Sequence, residues 1–597
     1  MNKKIILISI IAIIIVGVGG FFVFRKLAPP EPRLPTREVG RCGDNICDES
    51  EKANPNACPA DCGNENIEIP EKDNGQYKCP QYTPPAPSFY ENCENKGGSV
   101  EAGEKNDKGC QMPPRCVLPG TSSKKGSETV NEDSPFGFHP GNAENYSYIK
   151  DLSSVWSREG VYLRWEWIDT NRSGNFKFTE ATAPANKELS ISSSKINYDE
   201  QWLNIPENIN IVVNVCPFAT GGEFSNSKEI LIYKDFVKKM VERYDGDENH
   251  GCAFQSPDCY NAGDNQYPHI KVIDTFKKNP IKYWQVCNQL SETCSGKDCK
   301  ETYAEKYAEV QETTYNAVKE ADRVASVLIA GDSQKELYPE VFKKLDGKYI
   351  DIVDFHRFGN SYNPKEDFDY LKSNLRSAGF NTSKLKFWMT ETGTYSGDPS
   401  FDPDKNLPYS SEKQQAKVLV KIYVSALSYK IEKIFWAWNI VEGFVRDGGI
   451  FDYTGLVYDG CDYINNEYKC GSNIGYDKGR GVKKLSYFTY KKLVEMLDGS
   501  DWNNIEAVQE KDGVYVYKFM KDGQPIWVAW NDNSVEKQIN ISNIDSSSVK
   551  ITEAVPNYET GKEVKNYDTA FKTENKNIIN NKLTITLDET PLFVEEN

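Results

Sequence analysis

Eight short apolar runs, each separated from the next by a helical pattern, constrain this chain most. SPFGFH, GVYLRWEW, INIVVNVC, IKYWQVCN, ASVLIAG, IDIVDFH, LKFWMTE and KIFWAW follow one another between residues 134 and about 499. Between them lie amphipathic stretches such as KEILIYKDFVKKMVERY, in which Phe236, Val237, Met240, Val241 and Tyr244 recur at helical spacing. Another is ETYAEKYAEVQETTYNAVKEADR, and a third opens with Ser411 and Gln414 placed as a capping box. Strands that alternate with helices must pair in parallel, and eight such units predict a (β/α)8 barrel with long loops. The rival is a doubly wound sheet, but no glycine-rich phosphate turn follows the first strand. From Asp501 the pattern changes to VYVYKFMKDGQPIWVAW and LTITLDETPLFV. Alternating β residues around Lys521-Asp522-Gly523 predict a hairpin and a small antiparallel β domain.

The segments before the barrel read differently. Ile5 to Phe24 is an uncharged run of twenty residues between MNKK and Arg25-Lys26, long enough at about 1.5 Å per residue to span a hydrocarbon core. It predicts an N-terminal transmembrane helix. A cleaved signal peptide fits less well, because the run is long for such a segment and no small-x-small site precedes the basic pair. The chain has 16 cysteines, many as close neighbours, which favours an oxidising, extracytoplasmic compartment for everything after the anchor. Zinc is the competing explanation. It is disfavoured by the lack of Cys-x-x-Cys spacing and by the presence of only four histidines. The expected organisation is an anchor over 1–26, a Pro-rich linker over 27–40 and a Cys-rich module over 41–63. A second Cys-rich segment with linker covers 64–133, the barrel 134–500 and the β domain 501–597. The Cys-rich module resembles stalk modules of microbial surface proteins. Its acids Asp44, Asp48, Glu51 and Asp61 are read as solvated rather than as calcium ligands.

Net charge of −17 argues against a nucleic-acid partner, because a phosphate backbone needs a basic footprint. In a barrel of this kind function sits at the C-terminal strand ends. Those ends carry His139, Arg164 with Trp165 and Trp167, Cys216, Asn288 with Gln289, His356, Glu391, and Trp436 with Trp438. One carboxylate, one arginine, two histidines and several aromatics suit a sugar pocket better than a metal, so no metal or cofactor is expected.

WQVCNQ, FWMTETGT, DFHRFG, KIFWAWN and KKLSYFTYKKLVEML together resemble, in order and spacing, the retaining (β/α)8 glycoside hydrolases of clan A, in their β-xylosidase and endoglycosidase-like branch. The resemblance implies a carbohydrate substrate and two catalytic glutamates. The nucleophile ends strand seven, which here is Glu391 in Thr-Glu-Thr-Gly. The acid/base ends strand four in Asn-Glu, where this chain has Asn288-Gln289. Retaining hydrolysis needs an ionised carboxylate and a protonated carboxyl about 5–5.5 Å apart, and an amide cannot shuttle the proton. A second departure is Phe358, where the family commonly places a tyrosine two residues after the histidine. Three readings of Gln289 stand open. Another carboxyl such as Glu292 or Glu166 supplies the proton, or the substrates carry good leaving groups, or the barrel binds glycans without cleaving them. A purely structural surface protein would instead have its aromatic pocket plugged by side chains.

By the same resemblance Arg164 is expected to fix the charge of the nucleophile. Trp165 and Trp436 are expected to contact sugar, with Trp438 as the core partner unless the pair exchanges roles, and His139, His356 and Asn288 to line the pocket. Cys216 and Cys287, at neighbouring strand ends, are expected as a disulfide or as two buried thiols. Finally, Asp169 to Glu180 matches the spacing of an EF-hand loop, but Lys177 occupies the ninth position and a strand, not a helix, is expected to precede it.

Overall fold

The computed structural model describes residues 99–101, 115–117 and 132–597, except 184–193, 204, 219–222, 247–274, 291–298, 360, 400–406, 447, 465–466 and 471–478. The expected anchor and the module over 41–63 lie outside the described residues. Among the described residues no helix is long and apolar enough to cross a membrane. The chain divides into two compact units. In the smaller, Ser99–Glu101 pairs antiparallel with Arg115–Val117.

The larger unit holds the eight expected strands as a closed barrel. They are β1 (Phe136–Gly141), β2 (Trp156–Arg164), β3 (Asn210–Cys216), β4 (Ile281–Val286), β5 (Ser326–Leu328), β6 (Ile352–Phe358), β7 (Lys386–Gly393) and β8 (Ile431–Trp436). Neighbours pair in parallel around the ring, and β8 closes onto β1. A helix follows each strand: α1 (Ala143–Ile149), α2 (Tyr198–Trp202), α3 (Ser227–Tyr244), α4 (Cys299–Ala321), α5 (Tyr338–Leu345), α6 (Lys365–Ser377), α7 (Glu412–Ser428) and α8 (Leu485–Leu497). On α3 the buried face contains Phe236, Val237, Met240, Val241 and Tyr244, as the spacing predicts. At α7 the Ser411 side chain accepts the Gln414 amide, relieving one orphan donor of the first turn, an interaction typically of about 1 kcal/mol.

Strand two corrects the expectation drawn from GVYLRWEW. The strand begins at Trp156 and ends at Arg164, and Trp165–Ile168 forms a turn of helix. Its pairing with β3 shifts register between Arg158 and Tyr162. The polar SREG segment thus belongs to the strand, although it breaks the apolar run that marks the others.

The barrel interior is layered. In one layer, Trp156, Val212, Leu328, Ile352, Trp388 and Phe435 pack together, with Tyr283 against them. Side chains two residues apart on a strand share a face. The next inward positions on four strands are therefore Arg158, Asn214, Gln285 and Asp354, all fully buried. The barrel thus changes from an apolar plug to a polar layer within one residue pair.

The β domain contains β9 (Glu506–Lys511), β10 (Val514–Lys521), β11 (Gln524–Asn531), β12 (Lys537–Ser542), β13 (Ser548–Glu553), β14 (Thr573–Asn577), β15 (Lys582–Leu587) and β16 (Leu592–Glu596). One sheet runs β9-β10-β11-β16-β13-β14, and β12 pairs with β15. Asp522 and Gly523 both have positive φ, 51° and 77°, as a type I′ hairpin requires. One face of the larger sheet, with Tyr517, Phe519, Val528, Trp530 and Phe593, belongs to the barrel's own apolar cluster. The opposite face, including Val514, Val516, Trp527 and Ala529, packs with Ile539, Ile541, Leu583 and Ile585 of the second sheet. Lys421 Nζ on α7 donates to Asp532 Oδ1 at 2.7 Å across the junction.

Candidate active site

Glu391 lies at the end of β7, fully buried, with different groups facing its two oxygens. Arg158 Nη1 donates to Oε1 at 2.7 Å. His356 Nδ1 lies 3.2 Å from Oε2, and His139 Nε2 lies 3.6 Å from Oε1. Across β6 and β7 the register shifts by one residue between Asp354 and His356, so that His356 rather than Arg357 stands opposite Glu391. The shift brings the imidazole alongside the carboxylate.

Arg158 is the hub. Its Nε donates to Gln285 Oε1 at 2.6 Å and its Nη2 to Asn288 Oδ1 at 2.7 Å. Burial opposes its charge most strongly, but the attraction of Glu391, joined by that of Tyr162 and Asp354, holds the guanidinium above its ordinary value. Gln285 Nε2 donates in turn to Asp354 Oδ2, and Asn214 Nδ2 donates to Gln285 Oε1 at 3.2 Å and to the Cys287 carbonyl at 2.9 Å. Asp354 also accepts the Thr390 amide at 3.0 Å, and Thr390 Oγ1 lies 2.6 Å from Oδ2. Burial pushes Asp354 up to about 7 against the pull of Arg158 and of the Thr390 bonds. Burial also drives both His139 and His356 well below the ordinary histidine value, with Arg158 adding to the effect. The layer therefore carries one fixed cation, Arg158, and neutral imidazoles on either side of Glu391. His139 Nδ1 donates to the Arg158 carbonyl at 3.0 Å, so its Nε2 is an acceptor facing the carboxylate.

Strand four ends as the sequence suggests, in a polar turn. Cys287 and Gln289 both have positive φ, 59° and 48°, uncommon for residues with side chains. The Gln289 amide donates to the Gly331 carbonyl at 2.9 Å. Its side chain is partly exposed, as is that of Asn288. Cys216 and Cys287 form a disulfide that joins the ends of β3 and β4. Residue 289 has no carboxyl to offer. Of the other donors considered, Glu166 is partly exposed on the turn after β2, and Glu292 lies outside the described residues.

Three expected residues stand elsewhere. Arg164 does not reach Glu391; its Nη1 donates to the Phe218 carbonyl at 2.6 Å, and it is Arg158, six residues earlier, that donates to Glu391. Trp165 is fully buried against Phe218, Phe224 and Tyr233, behind the strand end rather than in it. Trp436 is also fully buried, its indole N–H given to the Thr454 carbonyl at 2.9 Å. The tryptophan beside the site is Trp438, with its ring centroid 4.7 Å from that of His139. Phe444 stacks on Trp438 at 4.8 Å, and Phe451 and Phe358 also pack on it. One indole face is therefore covered by protein. Phe358 occupies the place of the missing phenol and gives Glu391 no hydrogen bond.

The EF-hand-like segment follows the helical turn Trp165–Ile168. There Asp169 accepts from the Ser173 amide at 3.0 Å, the Ser173 hydroxyl at 3.1 Å and the Gly174 amide at 2.7 Å. Its carboxylate closes its own loop. Among the described residues no group of three or more His, Cys, Asp and Glu side chains is arranged to hold a metal ion.

No family model matches the chain, and no curated protein matches it. Solved structures similar to it include a family 39 glycoside hydrolase from the gut symbiont Bacteroides cellulosilyticus WH2, with 13% identity over 84% of this chain and 87% of that chain and a TM-score of 0.46. The α-L-arabinofuranosidase of Thermotoga maritima has 10% identity over 78% of this chain and 92% of that chain, with a TM-score of 0.46. A GH30 endoxylanase from Clostridium papyrosolvens C71 has 12% identity over 79% of this chain and 98% of that chain, with a TM-score of 0.39. At these values nothing about the chain's function follows from the likeness.

Proposed function

We propose that this chain is a membrane-anchored, extracytoplasmic glycoside hydrolase acting on poly- or oligosaccharide with retention, in which Glu391 attacks the anomeric carbon and residue 289 gives no proton to the leaving oxygen. The observation that carries this reading is the fixing of Glu391, at the C-terminal end of β7, by Arg158 on one oxygen and His356 beside the other. A buried carboxylate kept anionic by a hydrogen-bonded cation is suited to attack carbon. In the first step a bond forms from Glu391 to the anomeric carbon, and the bond to the leaving oxygen breaks with its electron pair. Without a protonated carboxyl that oxygen must depart as an anion, which restricts fast cleavage to aryl or similarly activated glycosides. The second step, attack by water on the glycosyl ester, lacks a base for the same reason. The His139 Nε2 acceptor and the Asn288 side chain are the groups placed to take sugar hydroxyls. The run over residues 5–24 and the disulfides Cys216–Cys287 and Cys461–Cys470 support the anchored, oxidising location.

The second reading is a catalytically impaired barrel that binds glycans at the cell surface. It is favoured by the complete burial of Glu391 and by the cover that Phe444 places on Trp438. A panel of dinitrophenyl glycosides with and without azide separates the two. Azide attacks without needing a base, so the hydrolase reading expects a burst of dinitrophenolate, slow turnover, and acceleration by azide with glycosyl azide of retained configuration as product. No dinitrophenolate from any sugar, together with retention of the same protein on a glycan array, would establish the binding reading instead.

A further inference from the structure

His356 lies between Glu391 and the Thr390 hydroxyl, and the protonation state of Asp354 decides which ring nitrogen carries the proton. Its Nδ1 faces Glu391 Oε2 at 3.2 Å, and its Nε2 lies 3.2 Å from Thr390 Oγ1. The Thr390 hydroxyl has one proton and two neighbours, His356 Nε2 and, at 2.6 Å, Asp354 Oδ2. If Asp354 is ionised, the hydroxyl donates to it, Nε2 must carry the imidazole proton, and Nδ1 turns a lone pair toward Glu391. If Asp354 is protonated, its O–H donates to Thr390, the hydroxyl donates to Nε2, and Nδ1 carries the imidazole proton on the side of Glu391. Only the second arrangement turns an N–H rather than a lone pair toward the carboxylate.

We propose that Asp354, Thr390 and His356 form a proton-ordered relay, in which neutral Asp354 sets the His356 proton on Nδ1, facing Glu391, and loss of the Asp354 proton reverses the imidazole tautomer. One proton leaves to solvent in the change, and the imidazole proton moves from Nδ1 to Nε2. Asp354 and His356 act here as positioning residues. The relay is enclosed. A Cβ on Gly331 would lie 2.2 Å from His356 Nε2 and 2.5 Å from Asp354 Oδ2, so backbone without a side chain covers the junction. The charged and titratable groups around it are Arg158 on β2, His139 on β1 and Glu391 on β7. Tyr307 and Tyr338 approach from α4 and α5, the latter donating to the Asp354 carbonyl at 2.8 Å. Asp332 presents its carbonyl to the His356 amide at 3.0 Å. Burial that pushes Asp354 up to about 7 puts the change within the range where the protein is handled.

The effect on rate rests on the reading of Glu391 as nucleophile, but the tautomer does not. Histidine-selective nitrogen-15 NMR of the full chain, which has four histidines, reads it directly. The His356 nitrogen shifts are expected to exchange their protonated and bare signatures as pH rises through about 7. In parallel, kcat/KM on a dinitrophenyl glycoside falls toward tenfold per pH unit above that point. Asp354→Asn combined with Gln285→Glu keeps the bonds to Arg158 and Thr390 without a titrating acid at 354, and is expected to hold His356 as Nδ1–H between about pH 5 and about pH 9. Thr390→Val, which cuts the relay with little change in shape, should also abolish the exchange. A wild-type His356 whose tautomer stays fixed across that range overturns the proposal, whatever the activity. A tautomer that exchanges in a protein that cleaves nothing upholds the relay and overturns the hydrolase reading.

Discussion

Arg158→Met is expected to cost about 3–5 kcal/mol of stability and to remove Glu391 as an anion, because it strips the partner from a fully buried charge. The carboxyl is then forced to take up a proton, and Gln285 and Asn288 lose the donors that orient them. The comparison is Arg164→Met, which breaks a bond to the Phe218 carbonyl and leaves Glu391 untouched. Its cost should be on the order of 1–3 kcal/mol. Denaturant unfolding of both variants beside the parent gives the test. Equal destabilisation, with dinitrophenyl glycoside cleavage retained in Arg158→Met, would remove Arg158 from the centre of the site.

Gln289→Glu carries the other large effect, and in the opposite direction. Supplying the missing acid should raise hydrolysis of unactivated glycosides by about 10²–10⁴-fold, the usual contribution of a positioned proton donor. Cleavage of dinitrophenyl glycosides should change only a few-fold, since that leaving group needs no proton. The gain should appear as a pH profile with a new acidic group in its basic limb. A parent enzyme that already hydrolyses natural oligosaccharides at the variant's rate would mean that another carboxyl, such as Glu166, supplies the proton.

The barrel was legible because burial on both faces makes strands that read as apolar runs, and seven of the eight begin and end near the runs that mark them. Strand two was the exception. Its inward Arg158 and outward Glu159 sit in a register shift and interrupt the apolar pattern, so the Gly160–Trp167 stretch reads as the strand and Arg164 as its functional residue. The polar layer was hidden for a related reason. Strand ends attract attention, whereas Asn214, Gln285 and Asp354 lie inside the strands, before their last residue. Their signal was present in the repeated step from a bulky residue to a polar one two positions later: Trp156 to Arg158, Val212 to Asn214, Tyr283 to Gln285 and Ile352 to Asp354. Period-two parity applied across neighbouring strands would have exposed it. Trp436 and Trp438 show the limit of that rule, for alternation separates their roles only once the direction of one neighbour is known. Here Trp436 turns to the core and Trp438 to His139.

Glu159 shows how the same chemistry is reused away from the site. Tyr146 donates to its carboxyl at 2.6 Å and Ser157 at 2.8 Å, and burial pushes it up to about 7 despite those bonds. As with Asp354, the folded value lies above the unfolded one. The stability from each neutral acid is therefore full below about pH 4 and is lost as pH rises through about 7. Depressed histidines act oppositely, losing stability as pH falls below about 6.5.

The central claim is that Glu391 forms a covalent bond to sugar. The most direct measurement is incubation of the full chain with the dinitrophenyl deoxyfluoroglycoside of whichever sugar is cleaved fastest, followed by intact mass and peptide mapping. One glycosyl unit per chain is expected, carried on the peptide KFWMTETG at Glu391 and absent in Glu391→Gln. A label on any other residue, or turnover of the parent glycoside by a protein that never acquires the label, would contradict it.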